Sequence, residues 1–276
     1  MVGDSPVQAL PVAPVTPEAI GEALVRLRET SPLVQSLTNI VVANFTANVL
    51  LAAGAAPAMI DNTHEAAGFA AIASGVLINL GTPQDDTTAA MREAARSAHS
   101  AGTPWVLDPV GAGGLPWRTE IGRELLAEYR PVIVRGNASE ILGIAGGVGG
   151  RGVDSTATSD DALEVALRLA TEHGCVVAAS GETDVITDGT HTVRLSNGVP
   201  MLTRVIGTGC SLGSLMAAYA SVAPPLVAAA AATSHLNIAG ESAARLSSGP
   251  GSFAVALLDS LDAVTQEHVA ETVRIA

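Results

Sequence analysis

Three short stretches carry residue types and spacings suited to phosphate chemistry. Val205-Ile206-Gly207-Thr208-Gly209-Cys210-Ser211 reads as an apolar strand end, then Gly-x-Gly, then a thiol, then a long apolar helix. Such a turn aims the backbone N–H groups of Gly207, Thr208, Gly209 and Cys210 at one point, and a helix N-terminus adds positive partial charge there. That point suits a phosphoryl group in transit, with Cys210 as the reactive side chain facing it. Asp108-Pro-Val-Gly-Ala-Gly113 sets a carboxylate at a strand end before a glycine-rich turn. Arg135-Gly-Asn-Ala-Ser-Glu140 sets a cation and a second carboxylate around another strand-to-helix turn.

Composition narrows the chemistry further. The 276-residue chain has no lysine; all 14 basic residues are arginine. A Walker lysine, a protein-kinase lysine and a Schiff-base lysine are therefore excluded together. Phosphate binding must rest on backbone N–H groups, arginine and metal. A net charge of −13 argues against nucleic acid and anionic membranes as partners. It leaves ATP open, because a local N–H cradle with Mg²⁺ overrides the global sign. The two cysteines, Cys175 and Cys210, have neither metal spacing nor a disulfide framework, and Cys175 sits in an apolar run as an inert core residue.

The elements that must position these groups alternate along the chain. Apolar runs of strand length lie at 33–37, 56–60, 76–80, 105–107, 132–134 and 176–179. Helical patterns fall between them near 39–53, 64–73, 84–101, 118–129, 137–145 and 159–173. This alternation implies an α/β fold with a mostly parallel central sheet and helices on both faces. Residues 184–188 and 191–195 flank Gly189-Thr190 and read as a hairpin, after which 201–206 returns to the sheet. Helices follow near 209–220, 225–245 and 251–267. In such sheets ligands collect at the carboxyl ends of strands, where Asp108, Arg135, Ser180 and Gly207 all fall.

The uncharged stretch 205–240 is broken by its glycines and by Pro224-Pro225, so it reads as buried helices rather than a membrane span. Residues 1–16, with Pro6, Pro11 and Pro14 and no basic leader, read as a flexible extension. No linker divides 17–276, which is expected to form one domain in a cytoplasmic protein. Gly147-Val-Gly-Gly-Arg-Gly152 matches a dinucleotide-binding spacing, but it follows a helix rather than a strand and reads as a loop.

Read in order, Asp108-Pro-Val-Gly-Ala-Gly113, Arg135-Gly-Asn-Ala-Ser-Glu140, Ser180-Gly-Glu-Thr-Asp184 and Gly207-Thr-Gly-Cys210 resemble the hydroxyethylthiazole kinases of the ribokinase-like superfamily. The stretch Ser36-Leu-Thr-Asn-Ile-Val-Val-Ala-Asn-Phe-Thr-Ala-Asn48 and Gly249-Pro-Gly-Ser-Phe253 extend the likeness to residues 30–265. The resemblance implies transfer of the ATP γ-phosphoryl group to the alcohol of 4-methyl-5-(2-hydroxyethyl)thiazole, in thiamine salvage. It implies Mg²⁺ near Asp108 and Glu140, ATP on Arg135 and Ser180, and the thiazole near Met59, Gly207 and Asn39. It implies a homotrimer with sites at subunit boundaries. The family often has threonine where Ser180 stands, and Gly54-Ala-Ala-Pro-Ala-Met59 matches its Gly-Ala-x-Pro-x-Met pattern.

Blander roles stand beside each of these. Asp108 reads equally as a turn former, Ser180 as a turn residue, Arg135 as a surface cation, Met59 as core and Asn39 as a helix cap. Glu140 follows Asn137 at capping-box spacing, a role compatible with a place beside phosphate. Cys210 stands where related sugar and vitamin kinases carry aspartate as base; a helix N-terminus lowers a thiol pKa, so a partial thiolate is expected. Three other readings remain: a hydroxymethylpyrimidine or pyridoxal kinase, a silent nucleotide-binding protein, and a nucleotide-hydrate dehydratase. Cys210 counts against the last.

Overall fold

The computed structural model describes residues 14–146 and 161–276. Its elements begin with α1 (Pro17–Thr30), β1 (Leu33–Leu37), α2 (Ala43–Ala53), β2 (Ala56–Ala58), α3 (Ala66–Ala70) and β3 (Gly75–Asn79). Next come α4 (Asp85–Ala101), β4 (Trp105–Asp108), α5 (Pro116–Tyr129), β5 (Ile133–Asn137), α6 (Ala138–Ile144) and α7 (Leu163–His173). The chain then runs through β6 (Val176–Ser180), β7 (Asp184–Thr187), β8 (Thr192–Leu195), α8 (Thr208–Ala220), α9 (Pro225–Leu246), α10 (Pro250–Ala263) and α11 (Gln266–Thr272). The Gly147–Gly152 motif and residues 1–13 lie outside the described residues. Thr16, assigned by sequence to the extension, caps α1 by accepting the Ala19 N–H at 3.2 Å.

The eight strands form one sheet in the order β2-β1-β3-β4-β5-β6-β7-β8. The first six run parallel, and β7 and β8 are antiparallel. The inner strands are apolar and buried because helices cover both sides. Alternation along a strand divides the core. Leu77, Val106 and Ile133 face the layer that contains α1, α2, α8, α9 and α10. Val76, Ile78, Leu107 and Val134 face the layer of α3, α4, α5 and α7. Small residues fill the gap between helix and sheet, notably Ala228 to Ala232 on α9.

The expected alternation, the mostly parallel sheet and the hairpin are present. One expected strand is not. Residues 201–206 do not rejoin the sheet; Pro200–Arg204 forms a 3₁₀ turn with Pro200 at its start. The outer edge of β8 is taken instead by the C-terminus, where Arg194 and Ala276 exchange backbone hydrogen bonds at 3.0 Å each. Gly207 is thus approached from a 3₁₀ turn and not from a strand end.

One buried group gives acid sensitivity. His235 on α9 is 1% exposed. Its Nδ1 lies 2.9 Å from the Tyr219 hydroxyl and its Nε2 lies 2.9 Å from the Leu261 carbonyl. A neutral ring satisfies both partners, and burial lowers its pKa to about 4. The unfolded chain then binds the proton first, so this contribution is complete above pH ~6.5 and is lost as pH falls toward ~4. Over that window wild-type stability should fall by up to about 3 kcal/mol relative to His235→Gln. Comparing the two proteins by urea melts at several pH values isolates the effect, since the raised carboxyls Asp108 and Asp184 act in the opposite direction. A pH-independent difference would exclude it.

Candidate active site

The carboxyl ends of β3, β4, β5 and β6 lie side by side, with Asn79 in register with Asp108 and Asn137 with Ser180. Asp108 ends β4 and is fully buried. Its Oδ2 accepts from Asn79 Nδ2 at 2.7 Å and from Arg135 Nη1 at 3.3 Å. Its Oδ1 is buried with no hydrogen-bond partner. The turn-former role is therefore set aside: the carboxylate bonds to neighbouring strands and not to its own turn. Burial pushes its carboxyl up, against the pull of Arg135. For Arg135, burial acts downward, but Asp108 and Glu140 outweigh it and the guanidinium is held charged.

Arg135 is 9% exposed, so it is not a surface cation. Its Nη2 donates to Ser180 Oγ at 3.3 Å, while its Nε is buried without a partner. Glu140 completes the expected capping box: its Oε2 accepts the Asn137 N–H at 2.8 Å and Asn137 Oδ1 accepts the Glu140 N–H at 2.9 Å. Its Oε1 also accepts the Gly111 N–H at 3.0 Å, which ties the Asp108-Pro-Val-Gly turn to α6.

Helix α8 starts against this cluster. Gly207 is its N-cap at φ 97°, a left-handed conformation that a side chain would strain. No side chain caps the N-terminus of α8. The first-turn N–H groups of Thr208, Gly209 and Cys210 have no acceptor within the helix. A Cβ on Gly209 would stand 3.0 Å from Arg135 Nη2. The glycine therefore lets the guanidinium lie directly against the amide turn. Cation and N–H groups converge there, an arrangement that binds phosphate oxygens.

Cys210, within electrostatic reach of Arg135, takes its hydrogen bond from another group. Its Sγ accepts from Asn39 Nδ2 at 3.3 Å, and the same amide reaches Asn79 Oδ1 at 3.0 Å. Asn39 is no helix cap, because α2 starts four residues later with Val42 as N-cap. The expected partial thiolate is corrected. Burial, reinforced by Asp108, raises Cys210 to about 11 despite Arg135 and the neighbouring amides. At neutral pH Cys210 is a thiol. Cys175 is buried and raised to about 12, in keeping with an inert core residue. Met59 lies one residue past β2, half-buried, at the same carboxyl edge of the sheet.

A cleft of about 830 Å³ opens on the Arg135 side of α8. Arg135, Ser180, Thr208, Gly209, Asn197 and Asn237 are among its lining residues. Cys210, Asn39 and Met59 lie outside it, so the two sides of the Gly-x-Gly turn are chemically distinct. Asn79 and Asn237 were not singled out by sequence, and Asp184 closed the Ser180-Gly-Glu-Thr-Asp184 motif without a role of its own. Asn79 closes a strand that otherwise reads as plain core, and only the position of Asp108 beside it reveals its contact.

Among the described residues no group of three or more His, Cys, Asp or Glu could by itself hold a metal ion, and no helix is long and apolar enough to cross a membrane. The family model described as "Hydroxyethylthiazole kinase family" matches residues 24–267. The chain is 57% identical over 258 residues to a hydroxyethylthiazole kinase of Kineococcus radiotolerans, covering 93% of this chain and 94% of that one. It superposes on the structure of a hydroxyethylthiazole kinase from Pyrococcus horikoshii OT3 with a TM-score of 0.87 at 36% identity, covering 93% and 98% of the two chains. A ribokinase-like superfamily protein from Enterococcus faecalis shares the fold at 12% identity, with a TM-score of 0.61 over 91% of this chain and 95% of that one. The uncapped amide turn, the arginine laid against it and the extent of these matches lead to one assignment: the chain belongs to the hydroxyethylthiazole kinase family of phosphotransferases, on a ribokinase-like fold.

Proposed function

We propose that this chain transfers the γ-phosphoryl group of ATP to the primary alcohol of 4-methyl-5-(2-hydroxyethyl)thiazole, in the cytoplasm, as a step of thiamine salvage. The bond from the alcohol oxygen to the γ-phosphorus forms, the bond from that phosphorus to the bridging oxygen of ADP breaks, and the hydroxyl proton is released. The observation that carries this reading is the Arg135 guanidinium lying against the uncapped start of α8 at the mouth of the cleft. ATP fills the cleft, with Arg135 and Ser180 on its phosphates. The amides of Gly207, Thr208, Gly209 and Cys210 receive the transferring group. Residues 17–276 act as one kinase domain.

Mg²⁺ fits the donor set as an ion carried in by ATP with most of its water shell. Asp108, whose Oδ1 is unpartnered, would hold it, directly or through water, with Glu140, both of whose oxygens already accept backbone N–H groups, contributing through water. When bound, the ion neutralises charge on the phosphates. Arg135 would meet charge on the phosphates from its place against the amide turn.

Met59, Gly207 and Asn39 form the thiazole side, and Cys210 orients the alcohol. A loose phosphoryl transition state needs little activation of the nucleophile, so a neutral thiol suffices and the proton leaves late. Cys210→Ala should therefore lower kcat about tenfold, an orientation effect, with no change in the shape of its pH profile. Cys210→Asp should keep activity. A loss above 10²-fold with a displaced pH limb would restore Cys210 as a base.

A homotrimer with sites at its boundaries belongs to the same reading. Ile40 is 82% and Ile206 71% exposed, flanking Asn39 and Gly207, and such apolar side chains suit burial by a neighbouring copy. A fully active monomer in sedimentation would remove this part. The experiment that tests the whole is ATP consumption with the thiazole alcohol, with a hydroxymethylpyrimidine and with no acceptor. Turnover dependent on the thiazole alcohol is expected; equal consumption without acceptor would refute it.

A further inference from the structure

Beside Arg135 the cleft is walled by two segments that flank the β7–β8 ladder, where Asp184 pairs with Leu195. One is the turn Ser180–Gly181 leading into β7; the other is the loop after β8, including Asn197 and Gly198. Asn237, on α9 and 7% exposed, is bonded directly to the second and, through Asp184, to the first. Its Nδ2 donates to Asp184 Oδ2 at 2.8 Å and to the Asn197 carbonyl at 2.9 Å. Asp184 Oδ1 in turn accepts the Gly181 N–H at 3.1 Å. Behind Asn197 the anchoring continues. Its Nδ2 donates to the Thr272 carbonyl at 2.9 Å, and its Oδ1 accepts the Arg274 N–H at 2.7 Å.

We propose that Asn237 is a positioning residue that, through Asp184 and Asn197, holds the two walls of the nucleotide cleft at the spacing that ATP requires. This rests on the cleft being the ATP site. The physical case is that a carboxylate at the first position of a hairpin strand is ordinarily solvated. Asp184 is instead buried, and burial raises it to about 6, so the molecule keeps an unfavourable group for the sake of its two hydrogen bonds. The same amide nitrogen serves both walls, so neither can shift without breaking a buried bond. Among the described residues, the side chains of Asp184 and Asn237 bond to Gly181, to Asn197 and to each other, and not to Asp108, Cys210 or Asn39. Asp184 also lies within electrostatic reach of Arg135, so the loss of Asn237, which leaves that charge in place, should be felt in ATP binding before catalysis.

The test uses full-length protein and steady-state kinetics with ATP and the thiazole alcohol varied separately. Asn237→Asp keeps the shape but removes both donors and opposes two carboxylates. It should raise the KM for ATP about tenfold, with kcat and the thiazole KM within about threefold of wild type. The double variant Asp184→Asn/Asn237→Asp exchanges donor and acceptor across the same gap. The amide at position 184 can then donate to the new carboxylate while still accepting from Gly181, but the Asn197 carbonyl is left without its donor, so the KM for ATP should recover only in part, to a value between Asn237→Asp and wild type. An unchanged KM for ATP in Asn237→Asp, or a double variant worse than either single one, would overturn the proposal. If Asn237→Asp does not fold by thermal melt, Asn237→Ser carries the same test, and an unchanged KM for ATP there overturns it equally. A wild-type protein without ATP-dependent turnover would instead bring down the reading of the cleft, and this proposal with it.

Discussion

Arg135→Ala is expected to lower kcat by about 10²–10³-fold, the loss typical of removing one preorganised group from a developing charge. The guanidinium sits against the amide turn at Gly209 and spans from Asp108 to Ser180. It already lies where the transferring phosphoryl is expected, so little reorganisation accompanies binding. Alanine would also leave Asp108 buried without its cation, a loss of about 3–5 kcal/mol if the carboxyl stayed ionised. The raised pKa of Asp108 limits that penalty, because the group can take up a proton instead. Arg135→Lys separates charge from geometry. It keeps a cation but cannot fork between the carboxylate and the hydroxyl, and activity between wild type and alanine is expected. Steady-state kinetics with a thermal melt of each variant checks both effects. A folded Arg135→Ala protein with wild-type kcat would remove Arg135 from the site.

Asp108→Asn should lower kcat by about 10²-fold or more and raise the Mg²⁺ concentration needed for half-maximal rate, on the scale of losing one charged group at the reacting centre. The amide oxygen can still accept from Asn79, but an N–H₂ then stands where the unpartnered Oδ1 was. Glu140→Gln should behave differently. Both oxygens of Glu140 accept backbone N–H groups, and an amide can serve only one of them. One buried N–H is left without its acceptor, and a stability loss of about 1–3 kcal/mol is expected, with a smaller effect on the Mg²⁺ titration. Titrating Mg²⁺ against turnover, alongside melts, distinguishes the two carboxylates. An unaltered titration for Asp108→Asn would sink its placement beside the metal.

Much of this protein follows from local pattern. β1 is an apolar run at 33–37 bounded by Pro32 and the Thr38-Asn39 turn, and it is found at those bounds. The hairpin follows from Gly189-Thr190 between alternating strands, and Gly189 sits at φ 89° as the turn requires. The gathering of Asp108, Arg135 and Ser180 was legible because strand ends in a parallel sheet share one edge. Asn137-x-x-Glu140 named its own capping box, since both partners lie within one turn of helix.

Other features were decided only by tertiary structure. An apolar run such as 201–206 has no intrinsic strand identity, and it becomes a 3₁₀ turn because Pro200 starts it and the edge of β8 is already paired with residues 274–276. The thiol of Cys210 illustrates a contest of magnitudes. The helix N-terminus is visible in sequence and favours thiolate, but burial beside Asp108 is not visible and prevails. Asn79 and Asn237 look ordinary in their own segments, and Asp184 ends its motif with no partner in view. Their partners arrive from elements 29, 53 and 40 residues away in the chain. Sequence by itself thus determined the capping box, the hairpin turn and the glycine-rich turns with the chemistry beside them, because those depend on neighbours within a few residues. The protonation of Cys210, the pairing of Asp108 with Arg135 and the joining of the cleft walls depend on burial and on contacts between distant segments, which exist only once the sheet has brought them together.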